Sequence, residues 1–185
     1  MPLTGPDYSY TGFIAENVRM KIKDLSIFSM GIPRKTSPGI IAQKLMEVGE
    51  YNKALEVYRE IIRDIQDKDT VINARYQMGI IESKFGNTAD ALKHFQYIIS
   101  NTNDPILHSK SYYQMAMIYL KDRNIEMAED YFLKAKNIYP SHASHLNILA
   151  GIFDYLNTHP IENLNEAQFH ENILKFIFRY FPDFK

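Results

Sequence analysis

Three stretches of this chain read as one phrase: Gly49-Glu50-Tyr51-Asn52-Lys53-Ala54-Leu55-Glu56-Val57-Tyr58, Gly86-Asn87-Thr88-Ala89-Asp90-Ala91-Leu92-Lys93-His94-Phe95 and Arg123-Asn124-Ile125-Glu126-Met127-Ala128-Glu129-Asp130-Tyr131-Phe132. Ala54, Ala91 and Ala128 stand thirty-seven residues apart, and each is followed four residues later by a large aromatic side chain. A fixed period of this length marks a helical unit written three times. One helix pair cannot bury its own apolar face, so neighbouring units must stack. The functional surface is then one that stacking creates.

Working outward, the first unit pairs a helix over about 38–48 with one over 51–65, and Gly49 sits where a helix end needs a left-handed residue. The second pairs 70–85 with 88–100, turning at Gly86, with Thr88 as the cap of its second helix. The third pairs 106–121 with 124–139, opened by Asp104 before Pro105 and closed by Pro140. A fourth, imperfect unit has Leu146, Leu149, Ala150 and Phe153 on one helical face, then a polar turn over 157–164. In the last helix Leu164, Asn165, Gln168 and Phe169 read as an N-cap with its returning glutamine and an apolar staple. Before the array, residues 1–12 read as an irregular leader. Ile14, Val18, Ile22, Leu25 and Phe28 then form one stripe of an amphipathic helix over 13–29. Ser37 and Pro38 mark the entry to the array.

Bulk composition narrows the classes. Twenty-one basic and twenty-two acidic residues among 185 nearly cancel, so no global field draws the chain to nucleic acid or to an anionic membrane. The absence of cysteine excludes disulfides, thiolate metal sites and cysteine nucleophiles. No stretch reaches the roughly 18 apolar residues of a spanning helix, and the N-terminus does not read as a signal peptide. The expected location is the cytoplasm, or the periplasm if the chain is a processed form.

The repeated pattern resembles the tetratricopeptide repeat family. It is met by Ala42, Leu45, Gly49, Ala54 and Tyr58; by Gly79, Gly86, Ala91 and Phe95; by Ala116, Tyr119, Ala128, Phe132, Ala135 and Pro140; and partly by Ala150 and Phe153. Glu82 departs from it by replacing an aromatic, and Arg123 by replacing the turn glycine. The family's common spacing is thirty-four residues, which separates Ala116 from Ala150. The resemblance implies an all-α, right-handed superhelical solenoid of antiparallel helix pairs, with three full repeats, a divergent fourth and capping helices. It divides the chain into a leader and helix at 1–34, an array at 35–157 (35–71, 72–108, 109–142 and a partial 143–157) and an aromatic-rich cap at 158–185.

In such arrays the first helix of each pair lines the concave face. Carried over by position, the groove candidates are Gln43 and Glu47; Asn73, Tyr76, Gln77, Ile80 and Lys84; Lys110, Tyr113, Gln114, Met117 and Lys121; and Asn147, Asp154 and Tyr155. Tyr76-Gln77 recurs as Tyr113-Gln114, and Lys84 as Lys121. Aromatic area, amide groups and an ammonium suit a peptide bearing an acidic group. Some family members grip a C-terminal carboxylate with a lysine, asparagine and arginine clamp. The corresponding places here hold Gly39, Gln43, Gln77, Lys110 and Gln114, so only Lys110 agrees.

The last helix is apolar on more than one side. It reads either as a cap or, through Phe176, Phe178 and Phe181, as a contact surface that supports self-association. His142 and His145 lack further ligands at metal spacing, and no phosphate loop or nucleophile elbow is present. The expectation is a non-catalytic adaptor without metal or cofactor that holds a peptide or partner helix in the groove. Alternatives are a regulator responding to a ligand or peptide, and an enzyme built on the solenoid.

Overall fold

The computed structural model describes residues 37–182. They form α1 (Pro38–Glu47), α2 (Tyr51–Asp64), α3 (Lys68–Lys84), α4 (Thr88–Asn101), α5 (Pro105–Lys121), α6 (Ile125–Ile138), α7 (His142–Thr158) and α8 (Leu164–Tyr180), with no strand among the described residues. The leader and the helix expected over 13–29 lie outside the described residues.

Local chemistry explains the helix starts. Asp104 accepts from the N–H groups of Ile106 at 2.8 Å and Leu107 at 3.4 Å, with Pro105 at the first helical position, as the sequence suggests. Asp67 caps α3 by accepting from Thr70 N–H at 2.9 Å. Two expected caps move. The residue before α4 is Asn87 and Thr88 is already helical. The cap of α8 is Asn163 rather than Asn165, accepting from Glu166 N–H at 3.0 Å, while Glu166 accepts from Glu162 N–H at 2.8 Å. The polar turn is correspondingly shorter, because α7 runs on to Thr158.

The three repeated turns share one geometry. Gly49, Gly86 and Arg123 have φ of +82°, +79° and 58°. In each, two backbone N–H groups fold back on the preceding helix: Gly49 to Met46 and Glu50 to Leu45, Gly86 to Ser83 and Asn87 to Glu82, Arg123 to Leu120 and Asn124 to Tyr119. This is the paired Schellman closure, which needs a left-handed residue. Arg123 therefore adopts a glycine conformation at a cost of about 1 kcal/mol. Its guanidinium is held 2.8 Å from Glu166 and lies 5.4 Å from the centre of the Phe169 ring, tying this turn to α8.

Small residues set the spacing within pairs. Ala42, Gly79 and Ala116 recur at the thirty-seven-residue interval in the first helices, as do Ala54, Ala91 and Ala128 in the second, and all six are buried. A Cβ on Gly79 would come within 2.7 Å of the Phe95 ring, so this helix approaches its partner's aromatic closely. Apolar clusters then bridge the pairs. Ala42, Tyr58 and Ile61 pack with Met78 and Ile81 of α3, and Phe95 and Ile98 pack with Met115 and Ile118 of α5. Stacking is therefore what completes each core. Glu82, in place of an aromatic, is buried between the first two pairs. Asn87 Nδ2 donates to it at 2.7 Å and Arg59 stands 3.8 Å away.

The fourth unit departs from its expected form. Leu149 is buried, but Leu146, Ala150 and Phe153 are exposed, and the buried face of α7 is Ile148, Leu149, Ile152 and Tyr155. Ile148, Ile152 and Tyr155 lie thirty-seven residues after the buried Ser111, Met115 and Ile118. The long period thus continues into α7, and the thirty-four-residue step from Ala116 to Ala150 does not describe its packing. α8 packs on α6 and meets α7 where Phe169 tilts on Tyr155 and Phe181 stands edge-on to His145, with Ile173, Phe176 and Ile177 in the same buried cluster.

Candidate functional site

The first helices of the second, third and fourth pairs supply one groove. Ser109 Oγ lies 3.2 Å from Ser144 Oγ, and the backbone at Gly151 is so near Tyr113 that an added Cβ would fall 2.0 Å from its hydroxyl. These two meetings run in the same order along α5 and α7, so the helices are parallel, as alternate helices of a hairpin array must be. The side chains facing away from α4 and α6 therefore share a wall.

An open groove of about 480 Å³ is lined by Tyr76 of α3, by Ser109, Lys110, Tyr113 and Gln114 of α5, and by Ser144, Asn147, Ile148, Ala150, Gly151 and Asp154 of α7. That size is within the range of ligand clefts. A second opening, between α5, α6, α7 and α8, holds only about 10 Å³ and is a packing void lined by Leu120, Phe132, Ile152 and Phe176 among others.

The tyrosines are anchored at the ring and polar at the tip. Tyr76 stands edge-on to Phe95 at 5.8 Å and Tyr113 tilts on Phe132 at 6.2 Å. The Gln114 side chain acts on the Tyr76 phenol and opposes the rise that burial causes in its pKa. Burial raises both phenol pKa values, and for Tyr113 the neighbouring Tyr76 and the Asp154 carboxylate add to the rise. Both rings therefore stay neutral across the physiological range, with hydroxyls able to donate and accept. Ser109 Oγ donates to the Ala135 carbonyl at 2.8 Å, fixing the buried end of the groove to α6.

Six sequence candidates meet here: Tyr76, Lys110, Tyr113, Gln114, Asn147 and Asp154. Others are drawn elsewhere. Lys84 donates to the Tyr51 hydroxyl at 2.6 Å and sits over that ring at 4.3 Å, bracing the start of α2 against the end of α3. Tyr155 is a core residue, 4% exposed, stacked on His159 at 4.1 Å and tilted against Phe169. Its position follows the buried series of Met115 and Ile118, which fixes its direction inward. Ile80 and Met117 are half-buried and pack on apolar clusters. Gln43, Glu47, Asn73 and Lys121 are exposed and Gln77 half-buried, but none lines the groove.

Of the end-surface candidates only Phe178 is exposed; Phe176 and Phe181 are buried. Phe176 is 5.9 Å from Phe132, and Phe181 meets His145 edge-on at 5.8 Å. These contacts leave α8 as a cap over α6 and α7. Ser109, Ser144, Ile148, Ala150 and Gly151 were not among the sequence candidates. The thirty-seven-residue step from Tyr76 and Tyr113 leads to Ala150, a signal obscured by assigning Ala150 to helix packing. Among the described residues no three His, Asp or Glu side chains gather as a metal cluster, and no helix is long and apolar enough to cross a membrane.

Hairpins stacked at a constant interval, with first helices lining one groove, define an all-α helical-repeat protein. A family model described as tetratricopeptide repeat matches residues 109–142, the third pair and its exit. By repeat pattern, fold and this match, the chain is similar to tetratricopeptide-repeat proteins, the match covering its third unit. It is also similar to two proteins named Photosystem I assembly protein Ycf3, from Synechococcus elongatus and a Synechococcus sp. Each is 29% identical over 99 residues, covering 52% of this chain and 57% of the relative. The chain spans about half the length of the curated relatives it matches.

Proposed function

We propose that this protein is a non-catalytic adaptor that holds a segment of a partner protein in the groove between α3, α5 and α7. The observation that carries the proposal is the convergence of Tyr76, Lys110, Tyr113, Gln114, Asn147 and Asp154, from three helices, on one open groove of about 480 Å³. Ring area supplies contact with little entropy to lose, and amides and hydroxyls supply directional bonds. The relatives' name, an assembly protein, supports a role in holding other proteins and does not identify the partner of this chain.

The test is to fill the groove without touching the core. Ala150 is exposed and lines the groove, so Ala150→Trp plugs it and leaves the helices intact. Partner capture from the native host should fall at least about tenfold, a loss of roughly 1.4 kcal/mol, with unchanged helical circular dichroism. Undiminished capture would overturn the proposal.

A further inference from the structure

α7 leaves open the face by which the array would continue. Ser109 and Ala116 of α5 are buried, Ser109 by its bond to Ala135 of α6 and its meeting with Ser144 of α7. Thirty-seven residues on, the same places hold Leu146 and Phe153, which are 43% and 45% exposed. α7 thus carries on the stacking surface of α5 and presents it to solvent with larger apolar side chains. Ala143, Ala150 and Asn157, also exposed, follow one another at seven-residue steps beside Leu146 and Phe153. Positions that alternate steps of three and four residues form a narrow seam, the width of contact with one further helix.

The seam reads nearly the same in both directions from Ala150. Leu146 lies four residues before it and Phe153 three after, Ala143 seven before and Asn157 seven after. A second α7, turned about a two-fold axis at Ala150, sets each Leu146 against the other copy's Phe153, and the small Ala150 lets the helices close at the axis. Charge fits the same arrangement. α7 contains no lysine, arginine or glutamate, and its one aspartate, Asp154, stands four residues past the axis. In the antiparallel pair the two Asp154 side chains lie at opposite ends. Each is level with the other copy's Leu146, directly after the first turn of that helix, whose N–H groups favour a negative charge. A parallel pair would bring the two carboxylates together.

We propose that two copies of this chain associate through α7, antiparallel about Ala150, with Leu146 of each packed on Phe153 of the other. Self-association, expected from sequence at Phe176, Phe178 and Phe181, moves to the preceding helix, since two of those three rings are buried. One helix face is smaller than the roughly 800 Å² per partner of a standard interface, so the dimer is weak.

The chain has no cysteine, so single cysteines in the full chain report the geometry. Under mild oxidation Ala150→Cys should form a disulfide-linked dimer at least about tenfold faster than Asn157→Cys. A bridge needs Cα atoms within about 7 Å, and the two copies of position 157 stand about 21 Å apart along the helices. A mixture of Ala143→Cys and Asn157→Cys should link one variant to the other. Without oxidant, sedimentation of the parent protein should show a mass rising toward twice the monomer's between about 10 and about 500 µM. Leu146→Glu with Phe153→Glu should stay monomeric with unchanged helical circular dichroism. A constant monomer mass in the parent protein, equal oxidation rates for Ala150→Cys and Asn157→Cys, homodimers of Ala143→Cys in preference to the mixed pair, or a dimer that survives the double variant would each overturn the proposal. Neither Leu146 nor Phe153 lines the groove, so the association stands or falls apart from partner capture.

Discussion

The first three helix pairs and the terminal pair solve the same packing problem with opposite materials. From α1 to α6 the helices meet at Ala42, Ala54, Gly79, Ala91, Ala116 and Ala128, and one aromatic per pair, Tyr58, Phe95 or Phe132, is buried beside them. In the terminal pair the residue thirty-seven after Ala116 is Phe153, which is 45% exposed, and the core is filled by Ile148, Ile152, Phe169, Ile173 and Phe176. Small residues force a close, repeatable pairing, whereas large ones let α8 lie across α6 and α7 and end the array. The groove wall depends on this. Because α8 does not bury Ala150, that residue remains open beside Tyr113 and Gly151.

The comparison breaks most sharply at the aromatics. Phe95→Ala and Phe132→Ala remove fully buried rings and should each cost about 3–5 kcal/mol. Phe153→Ala should cost under about 1 kcal/mol, since its ring is half in solvent. Denaturant unfolding monitored by circular dichroism measures all three. Comparable losses at Phe153 and Phe132 would mean that the terminal pair packs as the others do. A second cut comes from the small residues. Gly79→Val drives a branched side chain into Phe95, where even a Cβ would be 2.7 Å away. It should cost about 1–3 kcal/mol by overpacking, and a neutral result would deny that close approach fixes the pair.

The same contrast explains what the sequence could reveal. Ala54, Ala91 and Ala128 made the front pairs legible because close packing admits few residue types, so repetition of the residue reports repetition of the contact. In α7 the interval persists in Ile148, Ile152 and Tyr155, but those positions tolerate Ser, Met, Ile or Tyr. The alanine at position 150 was the more conspicuous signal and belonged to the groove. Half of the groove could be found because tyrosine, glutamine and lysine recur at helical spacing away from the partner helix. Lys84 obeyed the same spacing and was drawn off by Tyr51, a contact made across a turn that linear periodicity does not carry. Phe176 and Phe181 could not be told from Phe178 because an all-round apolar helix has no preferred face until its neighbours are placed.

Arg123 links the two regions and offers a finer test. Arg123→Ala keeps the left-handed backbone requirement and removes the bond to Glu166, so it should destabilise by about 1 kcal/mol. Arg123→Gly removes the same bond and relieves the backbone, and should lie close to the parent protein in thermal unfolding. If glycine proves as damaging as alanine, the tie to Glu166 and Phe169 outweighs the turn. Hydrogen exchange in α8 should increase in both variants, because both release that helix from the third turn.

The smallest expected effect is confined to the front of the array. His94 of α4 is half-buried, with Arg75 and Glu82 of α3, Arg59 of α2 and Asp90 of its own helix acting on it. Burial, followed by the Arg75 charge, lowers its pKa below the ordinary imidazole value; Arg59 adds to the lowering, and Glu82 and Asp90 oppose it. The folded state therefore favours the neutral ring while the unfolded chain titrates normally. Stability from this group is complete above the ordinary value and is lost as pH falls from there through the lowered folded value. Between about pH 7.5 and about pH 5.5, His94→Gln should show a smaller fall in Tm than the parent protein, with the other titrating groups common to both. Arg123→Ala should leave the parent's pH response unchanged, since its contacts lie at the other end of the array. An undiminished fall in His94→Gln would move the origin of the acid sensitivity away from the interface of the first two pairs and make the terminal pair, with His145 against Phe181, the region to examine.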